Sequence, residues 1–250
     1  MVGLHLKTAY AAGALCALLA LPRVGSAQAG PSDADMPPHP APNFPGVVVL
    51  FGGKQEDVAA HWTQRDPNKP ATWQVNEEGA MVTRDADIMS KERFTDFQLH
   101  VEFKVPYMPQ AHGQARGNSG VFLQGRYEIQ VLDSYGKPEP GKGDCGAVYN
   151  QAAALVNACK PPLKWQSYDI IFRAPRVDDT GKVIEKARVS VFLNGIAIQN
   201  NTEINGPTGA PIDNEAGKPG PIILQYHGNK VEYRNVWVLP LPPKGSDKYE

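Results

Sequence analysis

The feature that most constrains this chain is the spacing of its apolar residues, which alternate with polar ones in short runs bounded by Gly, Pro, Asn and Asp. A period of two sends successive side chains to opposite faces of a strand, so each run can bury one face and wet the other. From Gln98 to Val105, the residues Leu99, Val101, Phe103 and Val105 form one face, with Gln98, His100, Glu102 and Lys104 opposite. From Arg188 to Leu193, Val189, Val191 and Leu193 turn inward. Asn194-Gly195 then offers the φ > 0 positions of a tight hairpin before Ile196-Ala197-Ile198 returns. Further runs predict strands at Val47–Phe51, Thr72–Val75, Ala80–Thr83, Ser119–Gln124, Tyr127–Leu132, Tyr168–Arg173, Ile222–Tyr226 and Val231–Leu239. Many short strands with almost no sustained helical periodicity predict an all-β sandwich of two antiparallel sheets rather than a barrel or propeller.

The N-terminus breaks this pattern. His5 and Lys7 precede an apolar run from Ala9 to Ala20 that is too short to span a bilayer, and Ala27-Gln28-Ala29 supplies a small-residue cleavage site. Residues 1–29 therefore read as a signal peptide, which predicts export to the periplasm or the extracellular space. Residues 30–45 are rich in proline, which neither continues a helix nor donates regularly to a sheet, so this segment reads as a tether or an extended wrap. One domain is expected over residues 46–242, with a polar tail at 243–250.

The formal charge is −1, from 25 basic and 26 acidic residues. Losing the leader removes Lys7 and Arg23 and no acid, which gives 23 basic against 26 acidic, or −3. That balance argues against a nucleic-acid partner. No second long apolar stretch follows the leader, so stable membrane insertion is not expected. Cys145 and Cys159 survive processing, and an oxidising compartment would let them pair; the other reading is two buried thiols.

Two strands carry polar residues that pick out a site. In Tyr127–Asp133, Glu128 and Gln130 share a face, about 7 Å apart. In Ile222–His227 the same alternation sets Gln225 and His227 together. If both rows face one groove, an acid, an imidazole and two amides converge, the parts of a polyol-binding or acid–base site. The competing reading makes them the wet halves of ordinary amphipathic strands. Asn118, in Arg116-Gly117-Asn118-Ser119-Gly120, is placed to meet a sugar hydroxyl or to serve turn chemistry. The long polar connection Gly143–Trp165, with Tyr149, Asn157 and Lys160, suits a rim, and Trp165 is either part of that rim or a core anchor. His227, Glu128 and Asp133 could offer metal ligands, but no ligand spacing specifies a cation, so no cofactor is predicted.

The blocks Leu50-Phe51-Gly52-Gly53-Lys54, Gly117-Asn118-Ser119-Gly120-Val121-Phe122-Leu123, Tyr127-Glu128-Ile129-Gln130-Val131-Leu132-Asp133-Ser134, Gly146-Ala147-Val148-Tyr149, Trp165-Gln166-Ser167-Tyr168-Asp169, Leu224-Gln225-Tyr226-His227-Gly228-Asn229 and Arg234-Asn235-Val236-Trp237 occur in consistent order. From about Val47 to Leu241 the chain resembles the 3-keto-disaccharide hydrolase domain, also described as the 3-keto-glucoside 1,2-lyase and 3-keto-2-hydroxy-glucal hydratase family. The resemblance implies a concanavalin A-like jelly roll and a carbohydrate substrate. Glucanases of that fold carry E-x-D-x-x-E or E-x-D-x-E on one strand. Here the matching positions read Glu128, Gln130, and Leu132 or Asp133, so the second carboxylate of two-carboxylate hydrolysis is missing or, as Asp133, on the wrong face.

The family substrate implies a different route: a ketone at C3 acidifies the C2 hydrogen, a base removes it, and the enolate expels the C1 substituent. Glu128 or His227 is the expected base, with the other protonating the leaving group. Lys160 and Asn118 would stabilise the enolate, while Gln130, Gln225 and Tyr149 would hold hydroxyls. The chemistry also implies a separate oxidoreductase that forms the 3-keto sugar. A noncatalytic carbohydrate-binding module is the alternative reading.

Overall fold

The computed structural model describes residues 37–243, so the leader, the start of the Pro-rich segment and nearly all of the polar tail lie outside the described residues. Two antiparallel sheets carry the fold. The larger runs, edge to edge, through β13 (Ile196–Ile204), β12 (Ala187–Leu193), β9 (Gln166–Arg173), β6 (Asp96–Lys104), β15 (Glu232–Leu241), β4 (Met81–Val82) and β3 (Gln74–Val75), and β1 (Val48–Phe51) also pairs with β15. The smaller sheet has the order β2 (Trp62–Gln64), β5 (Ile88–Ser90), β14 (Ile223–Leu224), β7 (Ser119–Leu123) and β8 (Tyr127–Val131). A separate ribbon pairs β10 (Arg176–Val177) with β11 (Val183–Glu185). This is the expected concanavalin A-like jelly-roll sandwich.

Between the sheets lies one apolar layer. Phe97, Leu99, Val101 and Phe103 of β6 and Tyr168, Ile170 and Phe172 of β9 pack in the same cluster as Tyr127, Ile129 and Val131 of β8 and Val121 and Leu123 of β7. Each is nearly inaccessible to solvent, and burying such a side chain contributes about 1.5–3 kcal/mol. Two core tyrosines tie the sheets together. Tyr168 donates through its hydroxyl to the Gln130 carbonyl (2.6 Å), and the Tyr233 hydroxyl lies 2.7 Å from Ser119 Oγ. The predicted hairpin is present, with φ of 54° at Asn194 and 81° at Gly195.

The alternation did not foretell every element. Helix α1 (Gln55–His61) spans only seven residues, too few to establish a helical period. Asp57 holds its entry, its Oδ2 accepting the main-chain N–H groups of Gly52 (2.9 Å) and Lys54 (3.1 Å). The helix delivers Trp62, the first residue of β2, into the core, where the indole N–H donates to the Leu50 carbonyl (2.9 Å). The strand expected over Ile222–Tyr226 shortens to two paired residues. Cys145 and Cys159 are free thiols in this structure, and Cys145 Sγ lies 3.1 Å from the Tyr168 hydroxyl. The two thiols are neighbours, each perturbing the other's ionisation.

Candidate active site

The face of the smaller sheet turned away from the core holds most of the anticipated site. On β7 and β8, Val121, Leu123, Tyr127, Ile129 and Val131 fill the core, so Gly120, Phe122, Glu128 and Gln130 point the other way. Register fixes which of these meet. Ile223, Phe122 and Glu128 stand opposite one another on β14, β7 and β8, and Gly120 stands opposite Gln130. Beyond β14 the pairing continues, because the Gln225 N–H donates to the Gly120 carbonyl (3.0 Å). Gln225 therefore joins the row of Gly120 and Gln130. An apolar cluster of Met89, Phe122 and Ile223, with Ile212 against it, forms the floor beside this row.

Gly120 has a specific use. A Cβ there would sit 2.6 Å from Glu128 Oε1, so the carboxyl occupies the space a side chain would fill. Gln130 flanks it. One terminal atom of its amide lies 2.9 Å from Glu128 Oε1 and 3.1 Å from the Ser119 carbonyl. As nitrogen that atom donates to an ionised Glu128; as oxygen it accepts from the neutral acid. The other end of the amide lies 2.9 Å from Gln114 Oε1 and 3.4 Å from Asn118 Oδ1. Asn118 donates in turn to the Gln114 carbonyl (2.7 Å), which sets its side chain at the same end of the site.

Tyr149 enters from an irregular edge that pairs with β8. The Gln130 N–H donates to Ala147, and the Tyr149 N–H donates to the Glu128 carbonyl (3.1 Å), so Tyr149 lies opposite Glu128. Its ring faces the loop at Gly209, where a Cβ would come within 3.7 Å. From the same loop, Thr208 Oγ1 accepts the Glu128 main-chain N–H (2.8 Å).

Two functional candidates were missed in the sequence. Arg65 follows β2 and Asp87 precedes β5, and their side chains pair with Nε to Oδ2 at 2.6 Å. Continuing the β2–β5 register sets them opposite each other in the row that includes Gln225 and Gly120. Asp87 Oδ1 also accepts the Tyr226 N–H (2.8 Å). Arg65 lies over the Phe122 ring at 5.3 Å and donates to the Ala210 carbonyl (2.8 Å). Neither residue sits in an alternating run, so only the sheet pairing could reveal them.

The electrostatics single out Glu128. Burial pushes its carboxyl up to about 8, the Asp87 charge adds to that rise, and Arg65 opposes it. An acid poised near neutrality can both take and return a proton.

The remaining expected residues lie differently. His227 is exposed two residues beyond Gln225, and no hydrogen bond or ion pair among the described residues joins its ring to Glu128. Lys160 uses its main-chain N–H to reach Gln166 Oε1 (2.9 Å) at the start of β9, and no such link among the described residues joins its side chain to Glu128. Trp165 is buried, with the Arg234 guanidinium 4.0 Å and the Lys104 ammonium 4.9 Å from its ring centre. Asp133 pairs with Arg116 (3.2 Å).

A jelly-roll sandwich with an acid, amides and a phenol gathered over an apolar floor defines a glycosyl hydrolase-like, carbohydrate-active domain. Residues 46–239 match the family of the 3-keto-alpha-glucoside-1,2-lyase-like domain, and the chain belongs to that family. It is similar in structure to a proposed glycosyl hydrolase from Parabacteroides distasonis, at 35% identity and a TM-score of 0.71, over 85% of this chain and 95% of that one. A second proposed glycosyl hydrolase from the same organism shares the fold at 19% identity and a TM-score of 0.58, over 79% of this chain and 94% of that one. No curated protein sequence matches the chain significantly. No helix among the described residues is long and apolar enough to cross a membrane.

Proposed function

We propose that the protein cleaves 3-keto-glucosides by elimination, with Glu128 as the base. Glu128 takes the C2 hydrogen as a proton, the C2–H electrons form the enolate, and collapse of the enolate breaks the C1–O bond. The departing oxygen accepts a proton, for which exposed His227, two residues beyond Gln225, is the candidate donor. Addition of water across the resulting C1–C2 double bond, with return of a proton to C2, yields the free 3-keto sugar.

The observation that carries this reading is the Glu128 carboxyl, buried over Gly120 and held near neutrality with a guanidinium in the same field. Arg65 is the cation available to stabilise an enolate oxygen, a duty the sequence assigned to Lys160 and Asn118. Asn118, Gln130, Gln225 and Tyr149 supply hydroxyl contacts. A second reading has its own observation: Asp87 influences Glu128, so ordinary hydrolysis by two carboxyl groups has a second acid at hand. Asp87 is engaged by Arg65 and the Tyr226 N–H, which favours a positioning role over nucleophilic attack.

Product analysis in heavy water separates the two. Elimination incorporates deuterium at C2 of the released sugar and requires the 3-keto substrate. Cleavage of the unoxidised glucoside without deuterium at C2 establishes two-carboxylate hydrolysis instead. Binding of the 3-keto substrate without turnover identifies a carbohydrate-binding module.

The proposal includes export behind the N-terminal leader, closure of Cys145 and Cys159 to a disulfide by exchange with a disulfide oxidant of the exported compartment, which is reduced to its dithiol, and an oxidoreductase that supplies the ketone. Intact mass of the exported protein without reductant tests the bridge, which removes two hydrogens.

A further inference from the structure

The outer face of the larger sheet holds an ionisable cluster that sugar chemistry on the other sheet does not use. Alternation along β6 turns His100 and Glu102 away from the core, yet they are only 1% and 0% exposed. Trp237 stacks on the His100 ring at 5.3 Å and 14°. His39, from the Pro-rich segment, lies over the same place, its ring 5.9 Å from that of His100.

The donor atoms are arranged for a ligand. His100 Nδ1 lies 2.7 Å from Asp169 Oδ1, so Nδ1 carries the hydrogen and donates it, leaving Nε2 directed at Glu102 Oε1, 3.5 Å away. Glu102 Oε2 accepts from Arg234 Nε (2.5 Å). Its Oε1 accepts from Asn235 Nδ2 (2.9 Å) and from the His39 main-chain N–H (2.6 Å). One ligand atom each from His39, His100 and Glu102 lies within 4.8 Å of the others.

We propose that His39, His100 and Glu102 bind a divalent transition-metal cation of the Zn2+ class, which fastens the Pro-rich segment to the outer face of the larger sheet. Two imidazoles and one carboxylate are a borderline donor set that suits Zn2+ or Co2+ over Mg2+ or Ca2+. The supporting contacts are those a metal site needs. Asp169 fixes the His100 tautomer and ring, and Arg234 holds the carboxylate oxygen that faces away from the cation. Tetrahedral zinc with bonds of about 2.1 Å sets its ligands about 3.4 Å apart, so the cluster must contract. His39 can supply that movement, because it is the exposed member of the set. Pro40 restricts the His39 backbone to extended conformations, which lowers the entropy lost on binding. His39 lies before the residues that match the family, whereas His100 and Glu102 lie within them.

Untagged protein stripped with chelator and titrated with Zn2+ alone is expected to bind one high-affinity equivalent, and Co2+ should give the visible absorption of a four-coordinate nitrogen and oxygen site. His39→Ala, a change on an exposed segment, is expected to abolish that event while the thermal transition persists. Asp169→Asn should weaken it by about 10–100-fold. A wild-type chain with no saturable Zn2+ binding, or a His39→Ala chain that binds Zn2+ equally, overturns the site.

Discussion

Glu128 carries two opposing demands, because a carboxyl buried to 4% exposure resists ionisation and a base must be ionised to act. With burial as the main cause and Asp87 adding to it, the group titrates near 8 rather than its ordinary 4.5. Between those values the folded protein holds a proton that the unfolded chain has released. Stability should therefore fall as pH rises through that window and level off above about 8. Glu128→Gln is expected to flatten this dependence in denaturant midpoints measured from pH 5 to 9. If Glu128 is the base, kcat/KM should climb with pH to a plateau above about 8, and Glu128→Gln should lower kcat by about 10²–10⁴-fold. A descending limb at that pH would assign Glu128 as the acid. Gly120 gives a steric counterpart: Gly120→Ala places a methyl 2.6 Å from Glu128 Oε1, and the carboxyl must swing aside. Because the atom displaced is the end of a flexible side chain, the fold should persist while kcat/KM drops by about 100-fold.

At the scale of elements, legibility followed the length of the alternating run. The nine residues of β6 and seven of β12 announce their faces through repeated Val, Leu and Phe, and the Glu128–Gln130 pair on β8 was readable for the same reason. β2 and β5 have three residues each, too few to show a period, and they carry or adjoin the residues that were missed. Arg65 and Asp87 are 22 positions apart in sequence and meet only through β2–β5 pairing. The strand β8 also depends on a brace that no local pattern shows, the Tyr168 hydroxyl reaching from β9 across the core to the Gln130 carbonyl (2.6 Å). Tyr168→Phe removes this donor with little change in volume. A loss of about 1 kcal/mol or slightly more is expected in urea unfolding, and the Gln130 amide exchange should quicken as β8 loosens.

The whole sandwich carries polar chemistry on both outward faces with one apolar layer between them. Alternation revealed that layer but not what lies on its far side: it sets His100 and Glu102 on the polar face of β6, and the Pro-rich segment, Trp237 and Arg234 cover them there. A period of two separates the faces of a strand but says nothing about what lies on the second face. The separation has a mechanical consequence, since disturbing one polar face should leave the other intact. His39→Pro tests this, because proline keeps the extended backbone while deleting the N–H that donates to Glu102 (2.6 Å). A hydrogen bond to a charged group contributes about 1.5–3 kcal/mol. In the presence of chelator, the variant should lose stability on that scale in urea unfolding while kcat/KM on the 3-keto substrate stays at the wild-type value. A matching fall in kcat/KM in the fully folded variant would show that the core transmits strain from one sheet to the other, and the two faces would then have to be treated as one coupled device.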